Sequence, residues 1–356
     1  MRALFYAVDG LGLGHVTRLV SIARALKRKA PESEVLFVTS SEACQVIGRE
    51  GFASIKVPSK SLREKVGLSR TRYLRVAQSV TWSAISGFDP DVLVVDTYPA
   101  GSFDELLPVL RWRQKNVFVF REQRDEAARS PLMQATLPLY DAVIVPHLDA
   151  AAVGPVPEPH KLRAVGPILI RERDELPSRE AARSRLGLAP KDRALYVSFG
   201  GGGDPDLQRS FTQALEVTSK LERLEIVIGA GPLGAFRAPH VRQLHDLFPA
   251  LDVLPAFDAT LCAAGYNSVT EALFARVPSV FVPFTRVLDD QAARARAVEA
   301  AGAGRCSATL RADELLPALE HVLNPERAAP MRAAMEKLVP HNGAAAAAAA
   351  LLELTR

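Results

Sequence analysis

Near its start the sequence places glycines at 10, 12 and 14, followed by His15 and Arg18. Glycines between a strand and a helix let a ligand approach the backbone, and the helix amides beyond them favour an anion. An imidazole at the positive end of a helix dipole is kept neutral, and a neutral imidazole accepts a proton. His15 is therefore a candidate general base, although a histidine here could equally cap the helix or fill a turn. Arg18, three residues on and on the same helical face, is either an anion contact or a solvated charge.

A second concentration of chemistry lies in AAGYNSVTEALFARVPSVFVPFTRVLDDQ, residues 263–291. Gly265, Asn267 and Ser268 precede an expected helix, and such an N-terminus suits a pyrophosphate. One turn inside, Glu271 could accept hydrogen bonds from both hydroxyls of a ribose. The same residues would also make a capping box, with Asn267 or Ser268 as the cap and Glu271 closing it. Asp290 and Gln291 add an acceptor and a mixed donor/acceptor, the combination that sugar hydroxyls require. Gly200, Gly201 and Gly202 open a further glycine loop after another apolar run.

These loops disfavour two common nucleotide chemistries. A dinucleotide fingerprint would want its third glycine at Thr17, and an acid where Thr39, Ser40 and Ser41 stand. GGGGDPD lacks the Gly-Lys-Ser/Thr ending of an NTPase phosphate loop.

The elements that must position these residues are apolar strands followed by glycine turns and amphipathic helices. Strands are expected at 2–8, 35–39, 92–95, 117–120 and 142–145, and again at 194–199, 225–228 and 279–282. Runs of that kind belong in parallel sheets covered on both faces. The chain has 356 residues, enough for two domains, with 48% hydrophobic and 24% charged residues. The expected organisation is a Rossmann-like domain over 1–167, a linker and connecting helix over 168–192, a second Rossmann-like domain over 193–340, and a C-terminal packing helix over 341–356. A ligand is expected in the inter-domain cleft, at the carboxyl ends of the strands. No apolar run reaches the ~20 residues of a membrane span, and the first residues read as a strand rather than a leader, so a cytoplasmic protein is expected. Cys44, Cys262 and Cys306 are odd in number and widely spaced, which suggests neither a disulfide framework nor a zinc site.

The GLGLGH turn, the GGGG loop and the AGYNSVTEAL…VPSVFVPF…DDQ stretch resemble the two-domain GT-B glycosyltransferases, closest to the family 28 group of MurG-type N-acetylglucosaminyltransferases. The resemblance implies a nucleotide-sugar, most often a UDP-sugar, on the C-terminal domain and an acceptor on the N-terminal one, with no cofactor beyond the co-substrate. Gly12, Gly14, Gly200, Gly201, Gly202, Gly265, Asn267, Ser268, Glu271, Asp290 and Gln291 would hold the donor, Glu271 taking the ribose and Asp290 and Gln291 facing the sugar. His15 would be the base. Ala263 stands where many relatives carry a pyrophosphate-facing His or Arg, and where retaining enzymes carry a Glu; the latter absence favours inversion. No Asp-x-Asp pair is evident to hold a metal. The implied activity is inverting, metal-independent transfer to an acceptor hydroxyl. Its rivals are a nucleotide-sugar hydrolase or epimerase of the same fold, or a non-catalytic nucleotide-sugar-binding subunit.

Residues 1–165 carry 22 Lys/Arg against 17 Asp/Glu, so the N-terminal half holds the basic excess of a chain with net charge +4. Much of it falls in KSLREKVGLSRTRYLR, residues 60–75, where an acceptor-side loop is expected. A charge run is usually a solvated face. Here Arg70, Arg72 and Arg75 interleave with apolar residues, a mixture that also suits an anionic acceptor or transient contact with an anionic membrane surface. The protein would then be peripheral at the inner face of the membrane, with no nucleic acid among its partners.

Overall fold

A computed structural model describes residues 1–8, 12–122, 130–201, 207–234, 236–286 and 289–356, with the side chains of Ser61 and Leu62 excepted. Contacts divide the chain into one unit of Met1–Ile170 with Gly343–Arg356, and another of Arg171–Asn342.

In the first unit the apolar runs become strands β1 (Arg2–Ala7), β2 (Glu34–Thr39), β3 (Ala53–Lys56), β4 (Val92–Asp96), β5 (Lys115–Val119), β6 (Ala142–Val145) and β7 (Leu162–Ala164). They form a parallel sheet in the order β3-β2-β1-β4-β5-β6-β7. The order reverses between β1 and β4, and it is at such a switch point that open α/β sheets bind ligands, beyond the strand carboxyl ends. All five residues of β4 are buried, as expected for a central strand covered on both faces.

In the second unit β8 (Arg193–Ser198), β9 (Leu224–Gly229), β10 (Arg242–Leu244), β11 (Ala259–Ala263), β12 (Ser279–Val282) and β13 (Arg305–Cys306) make the parallel order β10-β9-β8-β11-β12-β13. Its switch point falls between β8 and β11, where Cys262 pairs with Ser198. Two Rossmann-like α/β units are thus present.

Two boundaries differ from the sequence reading. The stretch expected as a linker joins the second unit from Arg171 onward: Arg183, buried in the helix Arg179–Leu186, donates to Ala256 O at 2.8 Å. The C-terminal helix, Ala344–Leu354, packs on the helix Gly14–Lys29 of the first unit, burying Ala344, Ala347, Ala348 and Leu351. Alanines let two helices approach closely. Where the chain re-enters this unit, a Cβ at Gly343 would stand 2.4 Å from Gly166 O, so no larger residue fits without moving the backbone.

Candidate active site

The helix Gly14–Lys29 follows β1, which puts His15 at its second residue, directly above the switch point. β1 pairs with β4 so that Tyr6 faces Val95; Asp96, one residue further, therefore ends its strand beside the same helix. His15 Nδ1 lies 3.3 Å from Asp96 Oδ1 and 3.0 Å from Thr97 Oγ1. The Asp96 carboxylate is completely buried and accepts from Arg18 Nε at 2.8 Å and Arg18 Nη2 at 2.9 Å. Burial alone would raise this carboxyl, but the Arg18 guanidinium and then His15 outweigh it and hold it well below the usual carboxylate range. The arrangement can do general-base chemistry, because a fixed anion behind an imidazole orients the ring and stabilises the imidazolium formed when it takes a proton.

In the second unit three glycine loops leave adjacent strands. Gly200, with φ +106°, follows β8; Gly231 follows β9; Gly265 follows β11. Leu233 N–H donates to Gly201 O at 3.0 Å, and a Cβ on Gly231 would stand 2.8 Å from Gly201 Cα. Backbone here packs on backbone, leaving no room for a side chain. Gly265 is the N-cap of the helix Tyr266–Phe274, and among the described residues no side chain caps that helix. The helix dipole at Gly265 favours an anion.

Glu271 lies in the sixth residue of this helix and makes no side-chain hydrogen bond with a described residue. Desolvation, and next the Asp252 carboxylate, push its carboxyl up to about 8, with Arg171 opposing. Arg171 itself is bound to Asp252 at 2.9 Å. Gln291 Oε1 accepts from Phe284 N–H at 3.0 Å, while Gln291 Nε2 lies 3.8 Å from where a Gly265 Cβ would be. Asp290 caps the helix Gln291–Ala300 by accepting from Ala293 N–H at 2.9 Å.

Residues 246–349 match the Glycosyltransferase family 28 C-terminal domain. The UDP-N-acetylglucosamine--N-acetylmuramyl-(pentapeptide) pyrophosphoryl-undecaprenol N-acetylglucosamine transferase of Symbiobacterium thermophilum is 31% identical over 373 residues, covering 99% of this chain and 96% of that protein. The chain belongs to glycosyltransferase family 28. A protein of the same description from Nocardioides sp. is 26% identical, covering 96% of this chain and 95% of its own. Among solved structures, the glycosyltransferase of kitacinnamycin superposes with a TM-score of 0.69 at 18% identity, covering 100% of this chain and 99% of that one. The MurG of Acinetobacter baumannii gives 0.62 at 16%, covering 99% and 100%. These likenesses show the GT-B fold.

In this family 28 glycosyltransferase several sequence expectations need correction. Arg18 is buried, with 1% of its surface exposed, and its guanidinium grips Asp96 rather than waiting for an anion. The capping box does not form, because the helix starts at Tyr266 instead of after Ser268, which puts Asn267 and Ser268 inside its first turn and Glu271 too deep to reach back. The basic segment is not a loop: Lys60–Lys65 is helical, and Arg70, Arg72 and Arg75 open the helix Arg70–Phe88 as exposed side chains. Gly14 is the first helical residue and Gly12 precedes it, while Gly10 and Gly202 lie outside the described residues.

Sequence reasoning missed Asp96, Thr97, Gly231 and Arg294. Asp96 was visible as an acid closing an apolar strand, and Gly231 within GAGPLG as a glycine pair after β9. Arg294 donates to Ala264 O at 3.0 Å and Asp289 Oδ1 at 2.7 Å, bringing a guanidinium to the Gly265 turn. Only its spacing from Asp290, one helical turn, could have signalled it. Thr97 carried no signal.

Proposed function

We propose that the protein transfers a sugar from a UDP-sugar to an acceptor hydroxyl with inversion and without a metal ion. The observation that carries this reading is the His15–Asp96 pair at the switch point of the first unit. His15 removes the proton of the acceptor hydroxyl as its oxygen attacks the anomeric carbon in a single displacement. On the second unit, the amides at Gly265 and the loops at Gly200–Gly201 and Gly231 receive the developing charge of the departing nucleoside diphosphate. Glu271 takes the ribose hydroxyls. Gln291 lies beside Gly265, within reach of a sugar attached to that diphosphate, and Asp290 contributes its second carboxylate oxygen.

The donor assignment is supported by the relatives, whose names specify UDP-N-acetylglucosamine and a pyrophosphoryl-undecaprenol acceptor. An acceptor of that kind is anionic and lipid-linked, which agrees with the exposed Arg70, Arg72 and Arg75 and the nearby exposed Val66 and Val76. Among the described residues no helix is long and apolar enough to cross a membrane, so contact with a lipid-linked acceptor would be at the surface.

The test is incubation with UDP-N-acetylglucosamine, and with other UDP-, GDP- and dTDP-sugars, in EDTA, with and without a polyprenyl-pyrophosphoryl-sugar acceptor. Acceptor-dependent transfer from a UDP-sugar, with the anomeric configuration inverted by proton NMR, is expected. Complete sugar release from the donor alone would make the protein a hydrolase.

A further inference from the structure

Asp96, Thr97 and His15 share too few protons for more than one arrangement. Thr97 Oγ1 stands 2.6 Å from Asp96 Oδ1, a distance at which two oxygens must share a proton. Asp96 is an ionised carboxylate clasped by Arg18 and has none to give, so the proton is that of the Thr97 hydroxyl. With that proton committed, Thr97 Oγ1 can only accept from its other neighbour, His15 Nδ1, at 3.0 Å. Nδ1 must therefore carry a hydrogen. Arg18 Nη2, a donor that would call for the opposite tautomer, is more distant at 3.4 Å and already donates to Asp96.

Thr97 is also held at a backbone cost. Its φ is +66°, a left-handed value that a β-branched residue rarely adopts, and Tyr98 N–H donates back to Asp96 O at 2.8 Å across it. Glycine would adopt this turn without strain. A strained threonine whose hydroxyl lies between a carboxylate and an imidazole is the pattern expected where backbone energy holds a side chain in place.

We infer that Thr97 is a positioning residue: its hydroxyl, donating to Asp96 and accepting from His15, fixes the imidazole proton on Nδ1 and leaves the lone pair on Nε2. The inference rests on the reading of His15 as the base, and it specifies which nitrogen acts. It also makes Thr97, rather than direct contact with Asp96 alone, the link between ring and carboxylate.

The test uses the full chain labelled with 15N-histidine, His15 being assigned by loss of its signals in His15→Gln. The wild type should show a protonated Nδ1 and an unprotonated Nε2. Thr97→Val, equal in shape and equally strained, should shift His15 toward the other tautomer and lower turnover on the acceptor roughly ten- to a hundredfold, with nucleotide affinity unchanged. Thr97→Ser should restore both. Thr97→Gly should melt at a higher temperature than wild type yet transfer sugar as poorly as the valine variant, an outcome that a merely structural threonine would not produce. An unchanged Nδ1–H signal in the folded valine variant overturns the inference. A changed tautomer with wild-type turnover upholds it and removes His15 from the chemistry instead.

Discussion

Asp96 Oδ1 lies 3.3 Å from His15 Nδ1, although eighty-one positions separate the two residues. Because β1 and β4 are neighbours in the sheet, the carboxylate ends its strand under the helix that carries the imidazole. Asp96→Asn removes the anion while keeping the shape. Turnover should fall about 10²–10⁴-fold with nucleotide affinity unchanged. Thermal stability should fall too, since taking one partner from a buried charge pair costs about 3–5 kcal/mol. Steady-state kinetics and calorimetric melting check both, and wild-type turnover in a folded variant would remove Asp96 from the mechanism.

Arg18→Lys separates a clamp on Asp96 from a contact with an anionic acceptor. Lysine keeps the charge but cannot reproduce the two-pronged contact with Asp96. Urea unfolding should show a lower midpoint, and turnover should drop with it. If instead only the acceptor KM rises, Arg18 is an anion contact after all.

Glu271 should make stability depend on pH. Its carboxyl titrates near 8 in the folded chain against 4.5 as the ordinary value, so between those limits the folded state binds more protons than the unfolded one. Stability from this group therefore falls as pH rises from about 4.5 to 8. Glu271→Gln, which cannot ionise, should lose that slope, and its melting temperature should gain on the wild type toward pH 8. If the ionised carboxylate holds a ribose, uridine diphosphate binding near pH 7 should release a proton, measurable by calorimetry in buffers of different ionisation enthalpy. Glu271→Ala should weaken that binding roughly ten- to a hundredfold, the equivalent of about 1.5–3 kcal/mol. Equal affinities in wild type and alanine variant would leave Glu271 without a role in the donor site.

The glycine loops at Gly231 and Gly265 should respond differently to one added methyl. Gly231→Ala would drive a Cβ to 2.8 Å from Gly201 Cα and 2.9 Å from Gly201 O, so it should destabilise by about 1–3 kcal/mol and weaken nucleotide binding. Gly265→Ala meets Gln291 Nε2 at an ordinary 3.8 Å. It should melt as wild type does, and under the proposed donor site it should lose nucleotide affinity through the added methyl alone. A thermally normal Gly265→Ala with normal affinity would move the diphosphate away from this turn.

Replacing Arg70, Arg72 and Arg75 together by Ser should leave melting and nucleotide binding unchanged, as all three side chains are exposed. Transfer to an anionic lipid-linked acceptor should weaken at low salt and converge with wild type at high salt, where screening already suppresses the attraction. Equal activity at low salt would assign these residues to a solvated face.

The alternation of strand, glycine turn and helix was legible in the sequence because its signals are local: apolar runs such as Val92–Val95 and Ser279–Val282, punctuated by glycine. The C-terminal alanines likewise announced a helix through propensity alone. The buried central strand Ala259–Ala263 escaped notice, and so did edge strands. Ala53–Lys56, Leu162–Ala164 and Arg242–Leu244 are three or four residues long and partly exposed, so no apolar pattern marks them. His15, Glu271 and the glycines around them could be singled out by type and spacing, since each belongs to one turn or one helix. What those residues face could not. That Arg18 serves Asp96, that Thr97 stands between Asp96 and His15, and that Gly231 packs on Gly201 depend on which strands lie side by side. Strand order is settled by burial of whole faces across the sheet, an energy summed over residues far apart in the chain, and no local pattern encodes it.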